Sequence, residues 1–247
     1  MSFQIFTDAE IASLRKGGKI LRECLEMLRP HVKVGVKTID LDRLAETFIR
    51  DHGGLPAFKG YHDFPATLCT SVNDECVHGI PGERVLNDGD IVSLDGGVIY
   101  DNLYTDACIT VPVGSISSEA QTLLNVTSNA LDEAVAMLKP GVRVGDISSA
   151  IQKIVERAGF KPVRSLTGHG LGETLHQFPD IPNFGKRGTG AVFPVHTLVA
   201  IEPIVSISSA EVSTTGDGWT LITEDGSLSA HFEHTLLTVE GGCEVIA

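Results

Sequence analysis

The chain has 247 residues, 42% of them hydrophobic, ample apolar content for a substantial core in one large domain or two small ones. Its 32 acids outweigh 19 bases, and a formal charge of −13 repels a phosphate backbone, which argues against direct nucleic-acid binding. The opening "MSFQIFTDAEIASLRKGG" is polar and charged, and no apolar run reaches membrane-span length. The cysteines (Cys24, Cys69, Cys76, Cys108, Cys243) are odd in number and lack a C-x-x-C pair, so a cytoplasmic protein with reduced thiols is expected.

Thr7 with Glu10 forms a capping-box pattern, and Ile11, Leu14, Ile20, Leu21, Leu25 and Leu28 predict a first helix ending before Pro30. Thr38 is expected to cap a second, with Leu41, Leu44, Ala45 and Phe48 on one face and Gly53 beyond its end. Strands are predicted for "DIVSLDGGVIY" (90–100) and "YTDACITVPV" (104–113), then a helix bracketed by Asp146 and Gly159. Two further strands follow, "TLVAIEPIV" (197–205) and "AHFEHTLLTV" (230–239). "LEMLRPHVKVG" (25–35) and "VAMLKPGVRVG" (135–145) agree at six of eleven positions with an offset of 110. That offset lays Leu41, Leu44 and Ala45 on Ile151, Ile154 and Val155, which predicts two pseudo-symmetric halves. No linker-like stretch divides them, so residues 1–247 are expected to form one α+β domain without a separate N-terminal extension domain.

Asp95 and Asp106 flank the turn-like "YDNLY", so a hairpin would set them nearly opposite each other. Directly opposed residues have Cβ atoms roughly 4.5–5.5 Å apart, where like charges destabilise a sheet unless a proton or cation lies between them. Under the repeat, "DIVSLD" resembles "TLVAIE", which gives the second half Glu202; Glu233 in "HFEHT" is a fourth strand acid. Four carboxylates with one imidazole suit one or two divalent ions such as Mn, Fe(II), Co or Zn. The glycine-rich "LTGHGLGETLHQFP" (166–179) supplies His169 as the nitrogen donor and leaves His176 for substrate. Two ions a few ångströms apart can share a bridging hydroxide and polarise a carbonyl, which is chemistry for amide hydrolysis.

Taken together, "FKGYHDFPATLCTSVNDECVHGIPG", "GDIVSLDGGV", "TDA", "GHGLGETLHQFP", "IEPIV" and "DGWTLITEDGSLSAHFEHT" resemble the type I methionine aminopeptidases of the pita-bread metallopeptidase family, over nearly the whole chain. The resemblance implies a mainly antiparallel curved sheet covered by helices. It implies removal of N-terminal methionine from nascent polypeptides, ahead of a small second residue, on a dinuclear metal site. By the same resemblance Asp95, Asp106, His169, Glu202 and Glu233 are the ligands, Asp106 and Glu233 bridging both ions, and His78, His176 and Glu202 are catalytic. Phe58, Tyr61, Phe64, Cys69, His78, Leu175, His176 and Trp219 would form the substrate pocket, suited to a thioether side chain. A monomer is expected, with any transient ribosome contact made through the domain's own surface.

Three places depart from the family pattern: Tyr104-Thr105, where a His-Gly pair is common; Gln177-Phe178, where acids are common; and His231, where glutamine is common. The competing expectations are a proline-specific peptidase of the same fold, usually with an additional N-terminal domain, and a non-catalytic binding protein on the same scaffold.

Overall fold

A computed structural model describes residues 2–247. The first helix, α1 (Asp8–Leu28), opens on the expected capping box, with Thr7 accepting from the Glu10 N–H while the Glu10 carboxylate accepts from the Thr7 N–H. Helix α2 spans Thr38–Asp51, but its N-cap is Lys37, not Thr38: the Thr38 hydroxyl donates to the Gly82 carbonyl instead. Helix α3 (Ser118–Met137), capped by the Ser117 hydroxyl, is not among the expected elements, although Leu123, Leu124, Ala130, Leu131 and Ala134 recur at helical spacing. Helix α4 (Val144–Arg157) begins two residues before Asp146, whose carboxylate accepts from the Arg143 N–H.

The repeat needs re-registering. α1 and α3 start 110 residues apart, but α2 and α4 start 106 apart, because the first half has an additional 3-10 turn at Arg29–His31 between its helices. At an offset of 106 the buried residues superpose: Thr38 with Val144, Leu41 with Ile147, Ala45 with Ile151, and Ile49 with Val155. The sequence offset of 110 slips this pair by about one helical turn, which preserves apolar periodicity and so hides the error. Leu44 consequently lies outside the core, 37% exposed.

Two antiparallel sheets carry the interior. In the first, Ile91–Tyr100 pairs with Leu103–Pro112 on one side and with Leu68–Val72 and Leu55–Pro56 on the other. The second has the order Gly242–Val245, His234–Val239, Leu198–Ile201, Thr167–Gly170, Gln177–Pro182. An antiparallel bridge between Cys108 and Glu233 ties the first sheet to the second half of the chain. α1 and α2 bury Leu21, Leu28, Leu41 and Ile49 against Leu94 and Val98, while α3 and α4 bury Leu123, Ile147 and Ile151 against Val199 and Leu236. The helices thus line the backs of the two sheets. Among the described residues no helix is long and apolar enough to cross a membrane.

The two expected strands of the second half are each interrupted at their acid. "TLVAIEPIV" divides into Leu198–Ile201 and Ile204–Ser206, and "AHFEHTLLTV" into Ser229–His231 and His234–Val239. Pro203 has no N–H for a ladder and follows Glu202 directly, which accounts for the first interruption.

Candidate active site

The hairpin between Ile91–Tyr100 and Leu103–Pro112 turns at Asp101 and Asn102, both with positive φ, the signature of a two-residue primed turn. Its register corrects the expected pairing: Asp95 lies opposite Cys108, and Asp106 opposite Gly97. The two aspartates are therefore diagonal neighbours on one face, and their side chains still meet. Gly97 gives that arrangement its room, since a Cβ there would lie 2.7 Å from Ala57 Cβ and 2.9 Å from the Phe58 ring.

Each acid is fixed through its backbone. The Asp106 N–H donates to the Thr235 hydroxyl, which donates in turn to the Asp106 carbonyl. Glu233 exchanges both backbone hydrogen bonds with Cys108. The Glu202 carbonyl accepts from the Asn183 side-chain amide. His169 lies on Thr167–Gly170, whose ladder slips by a bulge directly after it. Its Nδ1 is 3.0 Å from the Gly170 carbonyl, which can only accept, so Nδ1 carries the proton and Nε2 presents its lone pair. That Nε2 stands 3.5 Å from Glu202 Oε1 and 3.9 Å from Asp106 Oδ2. Ligand atoms of Asp106, His169 and Glu233 all lie within 4.8 Å of one another, and all three residues are buried.

The electrostatics of this cluster are those of a cation site. Burial first, and mutual repulsion second, pushes the carboxyls of Asp106, Glu202 and Glu233 well above the usual range; Asp95 rises as well, chiefly through burial. Burial lowers His169 to about 3. Asp95 Oδ1, Asp106 Oδ1 and Glu233 Oε1 are buried without any hydrogen-bond partner. Orphaned acceptors crowded around one unprotonated imidazole nitrogen fit a divalent ion of hard or borderline character. Cys69 and Cys108 flank Asp95 on the two neighbouring strands, and burial raises both thiols far above their ordinary pKa.

One cavity gathers the predicted residues. Asp95, Asp106, His169, Glu202 and Glu233 line it together with Phe58, Tyr61, Phe64, Cys69, His78, Leu175, His176 and Trp219. Val77 and His231 line it too; the sequence marks His231 as a departure close to the site but not as a site residue, and does not mark Val77. His231 was legible in principle: it lies two residues before Glu233, and its Nε2 is 3.7 Å from both Glu202 Oε2 and Glu233 Oε2. Trp219 meets Phe64 edge-on at 5.1 Å, and its loop is pinned by the Asp217 carboxylate, which accepts from the N–H groups of Trp219 and Thr220. The two histidines of the glycine-rich stretch converge, with ring centroids 4.4 Å apart. Gly170 permits this, because a Cβ there would lie 2.2 Å from the Phe178 carbonyl oxygen.

Residues 12–240 match metallopeptidase family M24. The methionine aminopeptidase of Clostridium perfringens is 45% identical over 237 residues, covering 96% of this chain and 95% of that protein. That of Escherichia coli K12 is 38% identical over 248 residues, covering 100% and 94%. The chain belongs to the methionine aminopeptidases of metallopeptidase family M24. The crystal structure of methionine aminopeptidase from Thermotoga maritima superposes with a TM-score of 0.98 at 42% identity, covering 99% of both chains, so this M24 peptidase has the α+β pita-bread fold. Prolidase from Pyrococcus furiosus shares that fold with a TM-score of 0.80 at 21% identity, and the M24 chain here spans 64% of it. M24 membership implies a divalent metal, and Asp106, His169 and Glu233 are the residues grouped to hold one.

Proposed function

We propose that this methionine aminopeptidase acts in the cytoplasm as a monomer on the N-terminal methionine of nascent proteins and peptides. It prefers a small second residue, uses two divalent ions, and makes any ribosome contact transiently through its own surface. One observation carries the reading: the acid and imidazole donors form part of a cavity whose other walls are Phe58, Tyr61, Phe64, Leu175 and Trp219. An unbranched, polarisable thioether side chain suits such aromatic walls.

Asp95, Asp106, His169, Glu202 and Glu233 would hold the ions, with Asp106 and Glu233 shared between them. When bound, such ions polarise the scissile carbonyl and activate water for attack. Glu202 accepts the proton of the attacking water and returns it to the leaving amine. His176 serves the carbonyl side. The Tyr61 hydroxyl is 3.0 Å from His176 Nδ1; with that hydroxyl donating, the ring proton resides on Nε2, available to a developing oxyanion. Burial lowers His176 and takes His78 down to about 4, so both rings are neutral near pH 7. His78, held beside Trp219 with its carbonyl accepting from Thr220, takes the nitrogen side of the scissile bond.

Reconstitution with Mn, Co, Fe(II) or Zn, followed by release assays on Met-Gly-Met-Met and on Xaa-Pro peptides, tests this. Methionine release is expected without Xaa-Pro cleavage; Xaa-Pro cleavage alone, or no cleavage with any cation, overturns it. The pocket reading further expects kcat/KM to fall from Met-Ala through Met-Val to Met-Leu, and equal values would contradict a closed pocket.

A further inference from the structure

Residues 3–6 run beneath the loop that carries His176, and their contacts are specific. Phe6 is 2% exposed, its N–H donates to the His196 carbonyl, and its ring occupies the space where a Gly172 Cβ would lie, 2.2 Å from Phe6 Cζ. Gly172 has a φ of 145°, so a side chain there would be strained as well as obstructed. Phe3 meets Phe178 edge-on at 5.0 Å. Gln4 Oε1 accepts from Gln177 Nε2 at 2.9 Å and lies 3.5 Å from the Glu173 N–H that points to it.

Gln177, the residue immediately after His176, spans its own loop. Its Nε2 also donates to the Leu171 carbonyl at 3.2 Å, and its Oε1 accepts from the Thr174 hydroxyl, which is equally 3.2 Å from the His176 carbonyl. The amide therefore closes segment 171–177 into a ring and ties that ring to Gln4. Position 177 is one of the places where the sequence departs from the family pattern. A carboxylate there would have no proton for the Leu171 carbonyl, and Gln4 could answer it only by turning its amide nitrogen inward, away from the bond its oxygen accepts from the Glu173 N–H. On the other side the Tyr104 N–H donates to the Gly172 carbonyl, which joins the loop to the strand bearing Asp106.

We propose that the segment 3–6 is a backstop for the His176 loop, and that Gln4 and Gln177 are positioning residues that hold the His176 imidazole at the reacting carbonyl. The inference rests on the proposed role of His176. It assigns Gln4 and Gln177 no contact with substrate and no share in holding cations.

The test is a kinetic comparison of Gln4→Ala and Gln177→Leu, each made in the parent chain and in a His176→Ala background, with the cation-loaded enzyme and a Met-Gly-Met-Met substrate. Loss of the Gln4–Gln177 hydrogen bond, common to both variants, is expected to lower kcat about three- to tenfold in the parent, with the larger loss for Gln177→Leu, which also gives up its bonds to Leu171 and Thr174. KM and cation affinity by calorimetry should stay near parental values, while Tm falls more for Gln177→Leu, which strips the Leu171 carbonyl of its donor, than for Gln4→Ala. In the His176→Ala background neither substitution should lower kcat further, since the group they position is gone. Adding Gln4→Ala to Gln177→Leu should likewise cost little, because the shared bond is already lost. A parental kcat for both variants, or the same fractional loss with and without His176, overturns the backstop. A His176→Ala enzyme of parental rate would instead sink the role given to His176, and the backstop with it.

Discussion

Replacing His176 by alanine separates oxyanion stabilisation from cation binding. The ring it removes has its Nδ1 3.0 Å from the Tyr61 hydroxyl and its centroid 4.4 Å from that of His169. One preorganised oxyanion donor is worth about 10²–10³ in kcat, or roughly 2.7–4 kcal/mol, so His176→Ala should lose that much. All five proposed ligands remain, and cation affinity measured by calorimetry should be unchanged. His169→Ala should behave in the opposite sense and lose affinity, because it removes the only imidazole among those ligands. Tyr61→Phe divides the effect more finely. It keeps the aromatic wall but removes the donor that fixes the tautomer, a lost neutral hydrogen bond of about 0.5–1.5 kcal/mol, which predicts a drop in kcat of about two- to tenfold. Single-turnover kinetics beside metal titration on the three variants decide the matter. A His176→Ala protein that binds cations poorly, a His169→Ala protein with native affinity, or a Tyr61→Phe loss as large as that of His176→Ala would refute the reasoning.

Asp42 offers a pH test away from the site. It is 5% exposed, and burial raises its carboxyl above the usual range although the N–H groups of Leu68 and Thr67 donate to it. A raised carboxyl means that the folded chain binds the proton more tightly than the unfolded one, so its stabilising contribution is present at low pH and is lost as pH rises through the folded value. Asp42→Asn keeps an oxygen acceptor without the charge; its Tm minus that of the parent should rise from pH 4 to pH 7, and a difference that falls over that range contradicts the assignment. The re-registered repeat makes a second structural prediction, because Ile151 is fully buried and Ile154 only partly so. Ile151→Ala should cost about 2–5 kcal/mol in denaturant unfolding and Ile154→Ala clearly less, and equal costs would contradict the register that sets Ile151 in the core and Ile154 at its margin.

The ease with which the sequence yields each feature follows from how local its cause is. The Thr7–Glu10 box needs only a spacing of three residues, and it is found where expected. The acids of the hairpin were legible as a pair because a two-residue turn relates distant positions by simple counting; the register missed by one diagonal step because the turn is centred between Asp101 and Asn102, whereas setting Asp95 opposite Asp106 requires a centre between Tyr100 and Asp101. Glu202 and Glu233 were visible as acids in apolar runs, but nothing in a periodicity of two announces that the ladder breaks at each. The helical repeat shows a subtler failure: slipping a helix by four residues maps an apolar face nearly onto itself, so a pattern can agree while the register is wrong. Contacts between segments far apart in sequence were the least legible. Gln4 and Gln177 are separated by 173 residues, and neither bears a charge or a motif that would pair them. Their pairing follows from topology: the strand Gln177–Pro182 begins where the chain entering α1 passes beneath it. Residues 170 and 172 belong to a stretch legible as glycine-rich, yet what would obstruct a side chain there is the Phe178 carbonyl in one case and the Phe6 ring in the other. A glycine-rich loop can therefore be recognised from sequence alone, while the groups that give it a fixed shape must be found in the fold.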